Sequence, residues 1–138
     1  MRRAQVAPLF ARVPPQTYGG TEIVSLLAEK LVGRGHDVTL FATGGARTQA
    51  RLRPVRPCGL YETWAQSGYW KPEYAHLAGA VEALRDSSEY DLVHFNMGTF
   101  SVPLADLARV PTVHSMPSPL GAEDLWTLDR FPNATVTA

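Results

Sequence analysis

The 138-residue chain is nearly free of cysteine, poor in lysine and without net charge, and each shortage closes off a class of protein. Cys58 stands alone, so neither an internal disulfide nor a cysteine-based metal cluster can form, which excludes a disulfide-framework secreted fold. Lys plus Arg and Asp plus Glu each number 13. A dedicated nucleic-acid binder carries a basic surplus that is missing here. No apolar run approaches the roughly 20 residues needed to span a bilayer. Pro8 interrupts the amino-terminal stretch before a signal-peptide core can build. The expected location is therefore the cytoplasm. All basic residues except Lys30 and Lys71 are Arg, in keeping with GC-rich, bacterial coding. What is present is a composition for packing: 45% hydrophobic and 19% charged, at the size of one domain.

Along the chain, short apolar runs alternate with helical periodicity. Arg3 to Leu9 reads as a buried strand. Gly19-Gly20-Thr21 opens a helix in which Ile23, Val24, Leu27 and Leu31 recur on one side, with Gly33 and Gly35 at its end. Val38 to Ala42 is a second strand, which completes a parallel βαβ unit. Thr43 to Gly59, with Pro54, Pro57 and the arginines 47, 51, 53 and 56, reads as a solvated loop. A short helix and turn are expected over Tyr61 to Trp70. There Trp64, Tyr69 and Trp70 serve packing under a long connection or stack on a sugar ring. Pro72 starts a helix to about Arg85 with the stripe Tyr74, Leu77, Val81 and Leu84. Asp91–Phe95 is a third strand, Val102–Leu107 a short helix and Thr112–Ser115 a fourth strand. A helix follows from Ala122 to Leu128, and a fifth strand begins at Ala134 to Ala138. The pattern predicts an α/β fold, a Rossmann-like open parallel sheet flanked by helices.

In such a sheet, ligands bind beyond the carboxyl ends of the strands, near the point where strand order reverses. That rule gathers the segment from Phe10 to Gly20, Thr43-Gly44-Gly45, His94 with Asn96-Met97-Gly98, and His114-Ser115-Met116 on one edge. Gly19-Gly20 directly before a helix lets backbone approach a ligand, and the positive helix end suits an anion such as phosphate. A turn that needs glycine only for chain reversal would look the same. No GxGxxG, GxxxxGK[ST] or GxSxG element occurs, which disfavours nicotinamide, P-loop and hydrolase chemistry. The strand-end acid cluster of a phosphoacceptor domain is also missing. His94 and His114 are expected near each other, either bonding a substrate hydroxyl or bonded within the fold. With no carboxylate beside them they do not make a metal site.

Several segments together resemble one family. They are Arg3-Ala4-Gln5-Val6-Ala7-Pro8, then Tyr18-Gly19-Gly20-Thr21-Glu22, then Leu31 to Ala42 with its Arg34-Gly35-His36-Asp37-Val38 element, then Tyr90 to Phe95, then Val110-Pro111-Thr112-Val113-His114. This ordered set is similar to the amino-terminal domain of GT-B glycosyltransferases of the family 4 type, and it covers most of the chain outside Arg47 to Ala80. The resemblance implies a retaining, hexosyltransferase-like enzyme moving a sugar from a nucleotide-diphosphate donor to a small-molecule, saccharide or lipid acceptor. It implies no cofactor and no metal. It places Gly19, Gly20 and Thr21 at the donor diphosphate and His114 at the donor sugar as the catalytic position. Tyr18, His94, Asn96 and Ser115 are candidate acceptor or sugar contacts from their place on the same edge, Asn96 standing where the family commonly has a second histidine. A lipid acceptor would bring the protein to the membrane periphery. The Glu-x7-Glu pair of the family's donor half is absent, so residues 1–138 are expected to be a single acceptor-side domain lacking that half and inactive alone. The alternative is a non-catalytic Rossmann-like module that binds a ligand or partner, with self-association through the strand edge near Ala134 to Ala138.

Overall fold

The buried run Ala4-Gln5-Val6 is the middle of the sheet. In the computed structural model, which describes residues 1–17, 19–67 and 71–137, six parallel strands form one sheet. They are β1 Arg2–Val6, β2 Asp37–Thr43, β3 Arg51–Arg56, β4 Leu92–Phe95, β5 Thr112–Ser115 and β6 Thr135–Thr137, in the order β3-β2-β1-β4-β5-β6. The helices are α1 Thr21–Gly33, α2 Leu60–Ser67, α3 Pro72–Arg85 and α4 Ala122–Arg130, with a 3-10 segment over Gly98–Leu107. Strand order runs outward from β1 to β3, then returns to β4 on the other side of β1. The switch point therefore lies between the ends of β1 and β4, where Pro8–Phe10 and Asn96–Gly98 leave the sheet.

Side-chain alternation divides the core in two. Ala4, Val6, Phe41, Val93 and Phe95 pack with Ala80, Ala83 and Tyr90 on the α3 face. Val38, Leu40 and Ala42 pack with Val24 and Leu31 on the α1 face. Phe41, Phe95, Leu9 and Leu40 are fully buried, and each contributes about 1.5–3 kcal/mol through lost apolar surface.

Five expectations change. Arg51–Arg56 is a strand, not a loop, so the strand at Thr135 is the sixth. Pro54 is tolerated because β3 is the edge, where one side of the backbone has no ladder to complete. Arg53 lies 2.8 Å from Asp86 and over the Phe41 ring at 5.7 Å, while Arg51 is 3.9 Å from Asp37, so these arginines dress an edge strand. Helix α3 buries its small residues: Gly79, Ala80 and Ala83 face the sheet, whereas Tyr74, Leu77 and Val81 face outward and only Leu84 of the expected stripe packs on the core. Small residues allow the helix to approach closely, with Leu9 and Val55 already at contact distance from the Gly79 position. In α1, Val24 and Leu31 are buried and Leu27 partly so, but Ile23 is 66% exposed and Ala28 takes the inward place. The expected helix at Val102–Leu107 is 3-10 and starts earlier, at Gly98. Trp64 is about half exposed, and Tyr69 and Trp70 lie outside the described residues.

Candidate functional site

The loop after β1 lies between two hollows at the carboxyl edge, and Pro8, Phe10 and Gly20 line both. The smaller hollow, about 320 Å³, is formed by Arg12, Pro15, Gly19, Gly20 and Thr21 with Tyr61 and Glu62 opposite. Gly20 is the residue before α1 and offers no side-chain cap to it. A Cβ on Gly20 would meet nothing within 4 Å, so the space beside the helix end is open. Its φ of −59° is ordinary, so this turn does not demand glycine for backbone reasons. The buried Thr21 hydroxyl donates to the Arg12 carbonyl at 2.9 Å, and the Glu22 N–H donates to the Gly19 carbonyl at 3.0 Å. Arg12 Nε is buried without a hydrogen-bond partner. The other helix starts differ. The N–H groups of Leu60 and Tyr61 at α2 donate to the carbonyls of Leu9 and Phe10, and Asp124 caps α4 by accepting from Gly121 N–H at 2.8 Å. Glu62, the one acid among the described residues that faces the small hollow, accepts from Gly59 N–H at 3.1 Å.

The larger hollow is a cleft of about 700 Å³ between the start of α3 and the loops after β4 and β5. Its wall is Phe10, Met97, Phe100, Met116, Pro117 and Leu120, interrupted by Glu73, His76, Asn96, Thr99 and Asp124. Asp124 accepts from the Thr99 hydroxyl as well as from Gly121 N–H, and these bonds hold its carboxyl below the usual range. This ties α4 to the 3-10 segment. Gly98 begins that segment with φ +64°, a left-handed conformation that favours glycine. His76 is 7% exposed, with its ring edge-on to Phe10 at 4.6 Å and to Phe100 at 6.1 Å. Burial lowers its pKa to about 4, against a small opposing pull from Glu73, so the ring is neutral at pH 7.

Of the residues singled out in the sequence, Gly19, Gly20, Thr21 and Asn96 reach these hollows. Tyr18 lies outside the described residues. His114 is in the interior: its exposure is 0%, its ring stacks on Phe95 at 5.1 Å, and both nitrogens are engaged. Ser101 Oγ is 2.9 Å from Nδ1 and Thr112 Oγ1 is 3.0 Å from Nε2. Burial, with a smaller effect from His94, lowers its pKa to about 4. The ring therefore holds the 3-10 segment whose first residues line the cleft. His94 points to the opposite face, because Gln5, His94 and Val113 stand in register there while Phe95 and His114 share the α3 face. The two histidines share no site. A polar chain crosses three strands on the His94 face. Asn96 Nδ2 donates to Gln5 Oε1 at 3.0 Å, Gln5 Nε2 makes a long contact of 3.4 Å with His94 Nδ1, and His94 Nε2 is 2.7 Å from Ser115 Oγ. Gln5 donating to Nδ1 makes Nε2 the N–H that donates to Ser115. Burial, with Arg3 nearby, lowers the His94 pKa.

Arg12, His76 and Gln5 escaped the sequence reading. Gln5 could have been found as a polar residue inside a buried strand, which must have partners. Arg12 stands eight residues ahead of Gly20, and nothing local marks it. His76 was masked by the assumption that large apolar residues mark the buried face of α3.

The comparisons bear on this geometry. The family model described as "Glycosyl transferase 4-like domain" matches residues 19–134. No curated protein sequence matches the chain. The crystal structure of Acinetobacter baumannii MurG superposes with a TM-score of 0.55 at 16% identity, covering 99% of this chain and 45% of the MurG chain. The chain thus spans less than half the length of that neighbour, and the likeness is one of fold. No helix among the described residues is long and apolar enough to cross a membrane. The two hollows at the switch point of a β3-β2-β1-β4-β5-β6 sheet, the family match and the shared fold lead to one statement: the chain belongs to the glycosyl transferase 4-like domain family and has the Rossmann-like fold of the amino-terminal half of a GT-B glycosyltransferase.

Proposed function

We propose that this chain is the acceptor-side half of an enzyme that transfers a sugar from a nucleotide-diphosphate donor to an acceptor, with retention at the anomeric carbon. The observation that carries the reading is the open amino end of α1. Gly20 leaves the first-turn N–H groups without a side-chain cap, a Cβ there would enter empty space, and the adjacent Arg12 Nε has no partner. These features suit the donor diphosphate, whose leaving charge would be stabilised by preorganised donors and a helix dipole. The backbone N–H groups of Gly19, Gly20 and Thr21 are the assigned contacts. Asn96 is assigned to the acceptor cleft, while His94 and Ser115, bonded to each other, line neither hollow and are assigned no contact. His114 is assigned as a positioning residue, acting through Ser101 on the Gly98–Phe100 wall. The nucleoside would be held by a second domain facing this edge, so the isolated 138 residues should not turn over.

The test is kinetic, in the two-domain polypeptide. Gly20→Val should lower kcat/KM for nucleotide sugars at least tenfold while the unfolding transition shifts little. Equal losses in folding and in nucleotide-sugar use would remove the diphosphate assignment. The anomeric configuration of the first product, read by NMR, decides retention.

A further inference from the structure

The two hollows differ in charge, and the difference bears on what the larger one accepts. Among the described residues no Lys or Arg lines the cleft, whereas Glu73 and Asp124 both do. The rest of its wall is largely aromatic, methionine and proline. Against this wall lies His76, more than nine-tenths buried, whose Nε2 has neither exposed surface nor a hydrogen-bond partner. A buried polar nitrogen without a partner is uncommon in folded proteins and is a place where a ligand restores a lost bond. We infer that the cleft takes an uncharged acceptor that has an apolar body and presents a hydroxyl, that His76 is its specificity-determining polar contact, and that phosphorylated or carboxylated acceptors are rejected.

The inference rests on the acceptor-side reading above and narrows its substrate class. The apolar body is held by Met97, Phe100, Met116 and Leu120, which supply area without direction. Direction comes from the few polar groups. A neutral imidazole offers one donor and one acceptor nitrogen, and a hydroxyl can answer either. An anionic head group in the same place would lose its hydration between two carboxylates with no cation to replace the water, which is discrimination by repulsion. The cationic and helix-end groups that would welcome an anion are in the neighbouring hollow.

Three probes of one body test this: 2-phenylethanol, phenethyl phosphate and ethylbenzene. Each is titrated into the chain while the methyl resonances of Met97 and Met116 are followed by NMR. The expected result is that the alcohol shifts both methyls and binds at least tenfold more tightly than the phosphate and severalfold more tightly than ethylbenzene. His76→Phe, which keeps a ring and removes both nitrogens, should bring the alcohol down to the level of ethylbenzene and leave ethylbenzene unchanged. If that variant does not fold, Glu73→Gln, at an exposed position, should narrow the gap between alcohol and phosphate. The inference is overturned by phosphate binding as tightly as the alcohol, by alcohol and ethylbenzene binding alike in the unaltered chain, or by methyl shifts that do not arise. Inorganic pyrophosphate, followed at the Gly19, Gly20 and Thr21 amides, reports on the diphosphate reading separately. Either result can fail while the other stands.

Discussion

The small hollow and the large cleft share Phe10 and Gly20 but solve opposite problems. Beside Gly20 the backbone itself is the recognition element: a helix end is left uncapped, and the side chain that would fill the space is missing. In the cleft the backbone is hidden, and recognition falls to an apolar wall with a few polar atoms, one of them an imidazole held neutral by burial. The contrast extends to neighbouring helices: N–H groups at the starts of α2 and α4 go to the Leu9 and Phe10 carbonyls and to the Asp124 carboxylate, whereas α1 has no side-chain cap and its Glu22 N–H goes to the Gly19 carbonyl. One edge of one sheet thus sets a helix end without a side-chain cap beside a cleft that carries two carboxylates.

Acid should break the cleft side first, and by the largest margin. His76 and His114 both have folded pKa values lowered to about 4 from 6.5. Their contribution is whole above pH 6.5 and is lost as pH falls from 6.5 towards 4, because the unfolded chain takes up the protons first. Each is worth on the order of 3 kcal/mol over that window. Urea unfolding at pH 7 and pH 4.5 should show the loss, and His114→Gln should flatten the slope. An unfolding free energy that does not change between these pH values would show that neither ring is buried neutral.

Next in size is Gly59→Ala, which disturbs the element common to both hollows. A Cβ there would lie 2.7 Å from the Phe10 carbonyl oxygen and 2.9 Å from Ala11 Cα, both backbone atoms that cannot step aside cheaply. A loss of about 2 kcal/mol is expected, with weaker binding on both sides of Phe10, measurable by denaturation and by probe titration. Gly20→Val, at a residue lining both hollows, should weaken diphosphate binding tenfold or more and the alcohol probe's affinity by a smaller factor. Smallest is Gly98→Ala. Its φ of +64° strains a side chain by about 1 kcal/mol, and the effect should be confined to the cleft rim and the thermal midpoint.

How far the sequence carried the account differs between the same two regions. The small hollow was legible, because Gly19-Gly20 before an amphipathic segment and a strand ending near Pro8 are local signals, and the order of βα units places them at a switch point. The strands at Val38, Leu92 and Thr112 were legible for the same reason, each being a short run of strand formers. The cleft was not, since its wall comes from α3, the 3-10 segment and the Met116–Leu120 loop, which meet only through tertiary packing. Helix α3 misled because its inward face is Gly79, Ala80 and Ala83, which periodicity of large apolar residues does not detect. Edge strand β3 misled because Arg51-Leu52-Arg53-Pro54 has the composition of a loop, and its pairing with β2 on one side alone supplies the reason it folds. The position of His114 at a strand end was legible, but the direction of its ring was not, because alternation in β5 turns it under Ser101 and onto Phe95.

The central claim is that the open end of α1 receives a diphosphate. Titration of inorganic pyrophosphate into the chain, followed by the backbone amide resonances, tests it most directly. The account predicts saturable shifts at Gly19, Gly20 and Thr21 with a response at the Arg12 side chain, all abolished in Gly20→Val. Saturable shifts elsewhere with none at these three residues, or the same shifts in Gly20→Val, would contradict it.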